Sequence, residues 1–201
     1  ESNGGFRHIT IRRCTFEHCR GLALETVDGA PMEDIRVSHL TMNDICNSPI
    51  YIRLGDRMRG PSTLPPSSVK DIRISHVRVT DADCRYACLI AGLEGHPVRD
   101  VRISDLTIGY RGGITLDDVA QQRGCNPFFY EPARKDKSRG VRSYPEPSAH
   151  GLQPAWGFSI SHAEDITLRR VRLSTATPDE RPWLYENNVK RLKMRNLKAQ
   201  N

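Results

Sequence analysis

Apolar residues recur along this chain in one eleven-residue pattern, clearest in Met32-Glu-Asp-Ile-Arg-Val-Ser-His-Leu-Thr-Met42. The pattern returns over Phe6 to Phe16, Val69 to Val79, Val98 to Ile108, Ala163 to Leu173 and Val189 to Ala199. Positions one, four, six, nine and eleven are mostly apolar, whereas two and three are usually charged. Positions four and six alternate as a strand does, and so do nine and eleven. The three-residue step between six and nine breaks that parity. It predicts a bend at the polar pair there: Arg12-Arg13, Ser38-His39, Ser75-His76, Ser104-Asp105 and Arg169-Arg170. None of these pairs is an Asn-Gly or Asp-Gly suited to positive φ, so a hairpin is not expected.

A short apolar run follows most copies: Leu22 to Leu24, Ile50 to Leu54, Cys88 to Ile90, Phe158 to Ile160 and Trp183 to Tyr185. The fourth-position residues are Ile9, Ile35, Ile72, Val101, Ile166 and Leu192, so the copies recur after 26, 37, 29, 65 and 26 residues. Periods in this range mark a coil rather than a single-core globule. Three short strands per turn describe an all-β parallel β-helix of about five to six turns. A leucine-rich repeat would need its asparagine ladder, and an α-solenoid would need a 3.6-residue period over ten or more residues. Two stretches leave the repeat: the Pro-, Ser- and Gly-rich Gly55 to Ser68, and a long insertion over about 109–154. A loop of that length in a compact repeat fold is more often functional than filler.

Composition narrows the reading only slightly. With 37% apolar and 27% charged residues the 201-residue chain is ordinary for a soluble domain, and no stretch approaches the roughly 18 apolar residues of a membrane span. The first residues read as the end of a turn, with no signal peptide, which gives the expectation that residue 1 is a cut inside a longer protein. The net charge of +6 suits a polyanionic partner. Arginines are scattered through the repeats without a ribonucleoprotein motif, zinc finger or basic helix, so nucleic acid is not the expected partner. The six cysteines show no CxxC pair; Cys14 and Cys88 fall at inward positions, as small core residues would.

Stacked turns put equivalent outward residues into columns about 4.8 Å apart. On the short runs one column holds Ala23, Tyr51, Leu89 and Ser159, and the other Glu25, Arg53, Ala91 and Ser161. The two non-repeating loops would wall a groove over these columns, a shape suited to an extended polymer. Asp117-Asp118 is an adjacent carboxylate pair, but neighbours in a strand face opposite ways and the pair lies in the insertion. Trp156 reads equally well as core or as a sugar-stacking surface.

Glu1-Ser-Asn-Gly-Gly-Phe6-Arg-His-Ile9, Gly21-Leu-Ala-Leu-Glu-Thr-Val-Asp-Gly29, Ser48-Pro-Ile-Tyr-Ile-Arg53, Tyr144-Pro-Glu-Pro147 and Pro154-Ala-Trp-Gly-Phe158 together resemble the polygalacturonase-like glycoside hydrolases of family 28, especially bacterial pectin-degrading members. The resemblance implies a right-handed parallel β-helix, of which residues 1–201 are the C-terminal part. It also implies inverting hydrolysis of a galacturonan or rhamnogalacturonan by an aspartate acid and base. The catalytic residues are expected upstream of residue 1, which would leave this segment inactive alone. The implied partner is an acidic plant cell-wall polysaccharide, met by a secreted or periplasmic protein that is a monomer at full length, with no cofactor, metal, nucleic acid or membrane. Where the family carries Arg-Ile-Lys, this chain reads Ala23-Leu24-Glu25, which disfavours a substrate carboxylate at that subsite. Substrate-binding candidates are therefore Glu25, with Arg53, Arg57 and Arg59 supplying compensating charge, and Tyr144 for stacking. A polysaccharide lyase of the same architecture would want clustered acidic side chains for calcium, and a non-catalytic carbohydrate-binding coil is the remaining alternative.

Overall fold

The computed structural model describes residues 4–57, 68–125 and 146–201. Long strands alternate with short ones: β1 (Phe6–Cys19), β2 (Leu22–Thr26), β3 (Met32–Ile45), β4 (Ile50–Leu54), β5 (Val69–Ala82), β6 (Cys88–Ala91) and β7 (Val98–Gly112). A short helix α1 (Leu116–Gln121) and a 3-10 turn (Pro147–His150) precede the last two strands, β8 (Phe158–Thr177) and β9 (Leu184–Gln200). All pairing between these strands is parallel. The long strands stack β1-β3-β5-β7-β8 and the short ones β2-β4-β6-β8, while β9 adds to β8 along its length. The result is one nine-stranded sheet curled into a half-barrel, with β8 belonging to both walls.

The register follows the repeat residue for residue. Ile9, Ile35, Ile72, Val101, Ile166 and Leu192 pair in succession, as do Cys14, Leu40, Val77, Leu106, Val171 and Leu197. These inward columns are solvent-free through the middle turns: Ile72, Val101, Ile103, Leu106, Ile166 and Leu168 are each 0% exposed. β-branched side chains fit such stacked, pleated positions. Each one buried is worth about 1.5–3 kcal/mol of transfer free energy.

The bend is tighter than the polar pairs suggest, and the expectation that they avoid positive φ is wrong. At the second residue of each pair, Arg13, His39, His76, Asp105 and Arg170, and at the equivalent Asn196 of the last copy, the chain adopts the left-handed conformation, with φ between 52° and 56°. Five residues earlier the third repeat position does the same, at His8, Asp34, Asp71, Asp100, Asp165 and Arg191. One left-handed residue turns the chain sharply and consumes a residue without a place in the alternation, which accounts for the broken parity. Aspartate, asparagine and histidine tolerate this conformation best among residues with a β-carbon. The acidic third position of the repeat is thus a corner. Stacked corners bond to one another: His8 Nδ1 lies 2.6 Å from Asp34 Oδ2, and the Arg170 guanidinium donates to both oxygens of Asp105 at 2.5 and 2.6 Å.

The expected insertion begins later than residue 109, because β7 continues to Gly112 and buries Tyr110. Trp156 takes its core alternative, 3% exposed with its ring edge-on to Tyr110 at 6.1 Å. Cys88 is fully buried and Cys14 packs against the core from the first turn. All six cysteines are free thiols.

Candidate functional site

The outer side of the short strands brings the predicted columns together. Ala23, Tyr51, Leu89, Ser159 and Tyr185 pair in register, as do Glu25, Arg53, Ala91, Ser161 and Asn187. The columns are not an open floor. Tyr51 is 1% exposed, Leu89 2% and Ala91 1%, and these three form a second apolar cluster outside the main core. Ala23 and Glu25 stay accessible at one end, as do Tyr185 and Asn187 at the other.

The segment 146–150 reaches the middle of this face at Tyr51. Glu146, itself buried, holds that segment to the turns below through the Arg20 guanidinium and the Asn47 side-chain amide. Asn47 also accepts from the Ser48 backbone N–H at 2.8 Å, and the Ser48 hydroxyl donates to the Ala87 carbonyl at 2.6 Å, one turn further on. The 3-10 turn then sets the half-buried His150 above Tyr51. Its Nε2 is 3.3 Å from the Tyr51 hydroxyl, and the rings meet edge-on at 6.0 Å. Burial, reinforced by the Arg53 guanidinium, pushes the His150 imidazole down to about 3. It is therefore neutral at ordinary pH, and its Nε2 can accept the Tyr51 hydroxyl.

Among the predicted binding residues, Glu25 and Arg53 are direct neighbours across β2 and β4, with Glu25 half-buried and Arg53 at 9% exposure. Arg57 turns inward instead. Its side chain is 1% exposed and makes a two-pronged pair with Asp28, one prong being Nε to Oδ1 at 3.0 Å. Arg59 and Tyr144 lie outside the described residues. Asp117 and Asp118 have local duties: Asp118 closes a capping box with Thr115 at the start of α1, and Arg123 bridges both carboxylates. Among the described residues no three His, Cys, Asp or Glu side chains gather where a metal ion could be held.

Sequence reasoning missed His150 and Glu146. Both sit in the insertion, and their partners lie 99 and 126 residues away, so no repeat position or spacing points to them. Comparison of the chain with protein-family models, with curated proteins and with solved structures gives no match.

Proposed function

We propose that the curled sheet is part of a right-handed parallel β-helix and that it serves a polygalacturonase-like hydrolase of family 28, acting with inversion on a pectic polysaccharide. In this reading the protein is secreted or periplasmic. The aspartate acid and base are supplied by turns outside residues 1–201, and the short-strand face contributes substrate binding. The observation that carries the reading is the pairing of Glu25 with Arg53 in adjacent turns at the accessible end of that face. A carboxylate able to take sugar hydroxyls stands there beside a guanidinium able to take an acidic substituent. The neutral His150 and Tyr51 wall the same face.

Hydrogen exchange with a short oligogalacturonide tests it. The ligand should slow amide exchange over residues 22–26 and 50–54 while a neutral cello-oligosaccharide does not, and Arg53→Gln should weaken the effect about 5- to 150-fold, the range for losing one charge-assisted contact. No protection of the short strands, or equal protection in the variant, would remove the site. Hydrolysis is read separately, from the anomeric configuration of the first-formed reducing ends when pectic substrate is given to the protein with its flanking turns; retained configuration, or an unsaturated product, contradicts the inverting reading.

A second reading has its own support. The burial of Tyr51, Leu89 and Ala91 closes the middle of the face, which favours a carbohydrate-binding coil that holds a ligand at its accessible end without cleaving it.

A further inference from the structure

Charges on the outside of the long strands follow a rule. Along the corner ladder Arg36 lies between Asp34 and Asp71, and Arg73 between Asp71 and Asp100. At the second repeat position Glu33 lies between Arg7 and Lys70, and Glu164 between Arg99 and Lys190. Even where like charges are register partners, as Arg36, Arg73 and Arg102 or Lys70 and Arg99 are, each cation has a carboxylate within ion-pair distance on a neighbouring column or turn.

Two columns stack cations without such a carboxylate, the seventh, where Arg169 pairs with Arg195, and the tenth, and only the tenth lies along a hollowed surface among the described residues. At the tenth repeat position Arg78, Thr107, Arg172 and Lys198 pair in succession over four turns, and no carboxylate lies between them. Arg172 and Lys198 are direct register partners, an arrangement that costs stability between like charges. All four residues are exposed, and among the described residues none of the three cations has an ion-pair partner. The surface beside them is hollowed. One depression of about 460 Å³ is lined by Arg78, Thr107 and Ser174, and its floor is Gly109, where the neighbouring column lacks a side chain. A second, of about 370 Å³, continues it past Thr107 and Ser174 to Arg172, Lys198 and Gln200. The one carboxylate in the groove, Asp81, is already held by Arg111 at 2.7 Å.

We propose that this groove on β5, β7, β8 and β9 binds a carboxylated polysaccharide. Its cations are spaced along the stacking direction for an anion that repeats, and their like-charge cost is relieved when such an anion lies across them. The hydroxyls of Thr107 and Ser174 and the amide of Gln200 suit a ligand rich in hydroxyl groups. The one aromatic ring among the groove's lining, Tyr110, is buried in the core, so unpaired bases have no open ring on which to stack, which disfavours a nucleic-acid strand. The inference stands on this column alone and does not depend on the hydrolase reading.

Affinity electrophoresis of the full chain tests it, using gels that contain polygalacturonate, neutral dextran or no polymer. Polygalacturonate should retard the protein and dextran should not. Thr107→Glu places a carboxylate between Arg78 and Arg172, giving both a partner without opening the core, and should weaken binding about tenfold or more, equivalent to at least ~1.4 kcal/mol. The triple change Arg78→Gln, Arg172→Gln, Lys198→Gln should do the same. A control triple, Arg7→Gln, Arg99→Gln, Lys190→Gln, removes as many charges from cations that already face carboxylates and should change binding less than about twofold. The proposal fails if polygalacturonate does not retard the protein, or if Thr107→Glu binds as tightly as the parent. It also fails if the two triples weaken binding alike, or if single-stranded DNA competes better than polygalacturonate.

Discussion

On the long strands the outward side chains stand in water and their charges interleave from turn to turn, as with Asp71, Arg73 and Asp100. On the short strands the middle of the outward side is covered, and charge has gone inside. Arg57 pairs with Asp28 in the segments that leave β2 and β4. Arg181 and Asp179, both side chains 0% exposed, pair just before β9. Arg181 also donates to the carbonyls of Gln153 and Cys84, at 3.0 and 2.6 Å, and so ties together the chain segments leading into β8, β6 and β9. One repeat therefore produces two walls with opposite electrostatics. Exposed pairs on the first wall cost little to make and return little, whereas buried pairs on the second are expensive to break, because the surviving charge has no water to turn to.

The strongest test of that contrast is Arg181→Ala, which strands Asp179 in the interior. We expect a loss of about 3–5 kcal/mol in urea unfolding, the range for breaking one side of a buried pair. A loss below about 1 kcal/mol would place Arg181 among the exposed pairs and erase the distinction between the walls.

Acid should separate the walls by pH window. His150, on the covered face, has a folded value near 3 against an ordinary 6.5, so the unfolded chain takes up its proton first. Its contribution is complete above about pH 6.5 and is lost as pH falls from there towards about 3. Asp105, on the open wall, is held down to about 2 chiefly by its bonds to Arg170, so its contribution is complete above the ordinary carboxylate value and disappears as pH falls towards about 2. His150→Gln should flatten the upper window of the stability profile and Asp105→Asn the lower one. A profile that neither change alters would show that these groups do not report on their walls.

The corners give the next smaller effect. His39 and His76 stack at 4.7 Å on successive left-handed corners, where a β-branched side chain fits poorly. His39→Val should cost about 1–2 kcal/mol, and His39→Asn close to nothing. Equal losses in thermal melts would mean that the rings, rather than the backbone conformation, hold the corner.

How far each wall was legible in the sequence follows from the same contrast. The long wall repeats, so Ile35, Ile72 and Val101 announce their columns and the register of the whole sheet comes with them. The bend was placed correctly, yet its conformation was misjudged, because Asn-Gly and Asp-Gly were sought where Asp, His and even Arg take the left-handed turn. On the short wall the alternation found Glu25 and Arg53 as neighbours. It could not show that the face is covered, because Glu146 and His150 reach it across long sequence separations and belong to no repeat. Arg57 was read as a substrate-binding cation supplying compensating charge beside Glu25, whereas it is buried against Asp28, a partner 29 residues earlier.

The smallest effect is the most direct measure of the open wall. Arg73 sits in the middle of the alternating ladder. Its guanidinium is 2.6 Å from Asp100 and 3.0 Å from Asp71, and it donates to the Asp100 carbonyl at 2.7 Å. With side-chain exposures of 28%, 34% and 39% for Arg73, Asp71 and Asp100, water screens all three groups. Arg73→Gln leaves two carboxylates facing each other across one turn, but they remain hydrated, so the expected loss is below about 1 kcal/mol. At 1 M salt, where screening acts over roughly 3 Å, most of that loss should vanish. A larger loss that persists in salt would mean that the guanidinium acts through its bond to the Asp100 carbonyl at the corner, and the ladder would then belong with the buried pairs of the short wall.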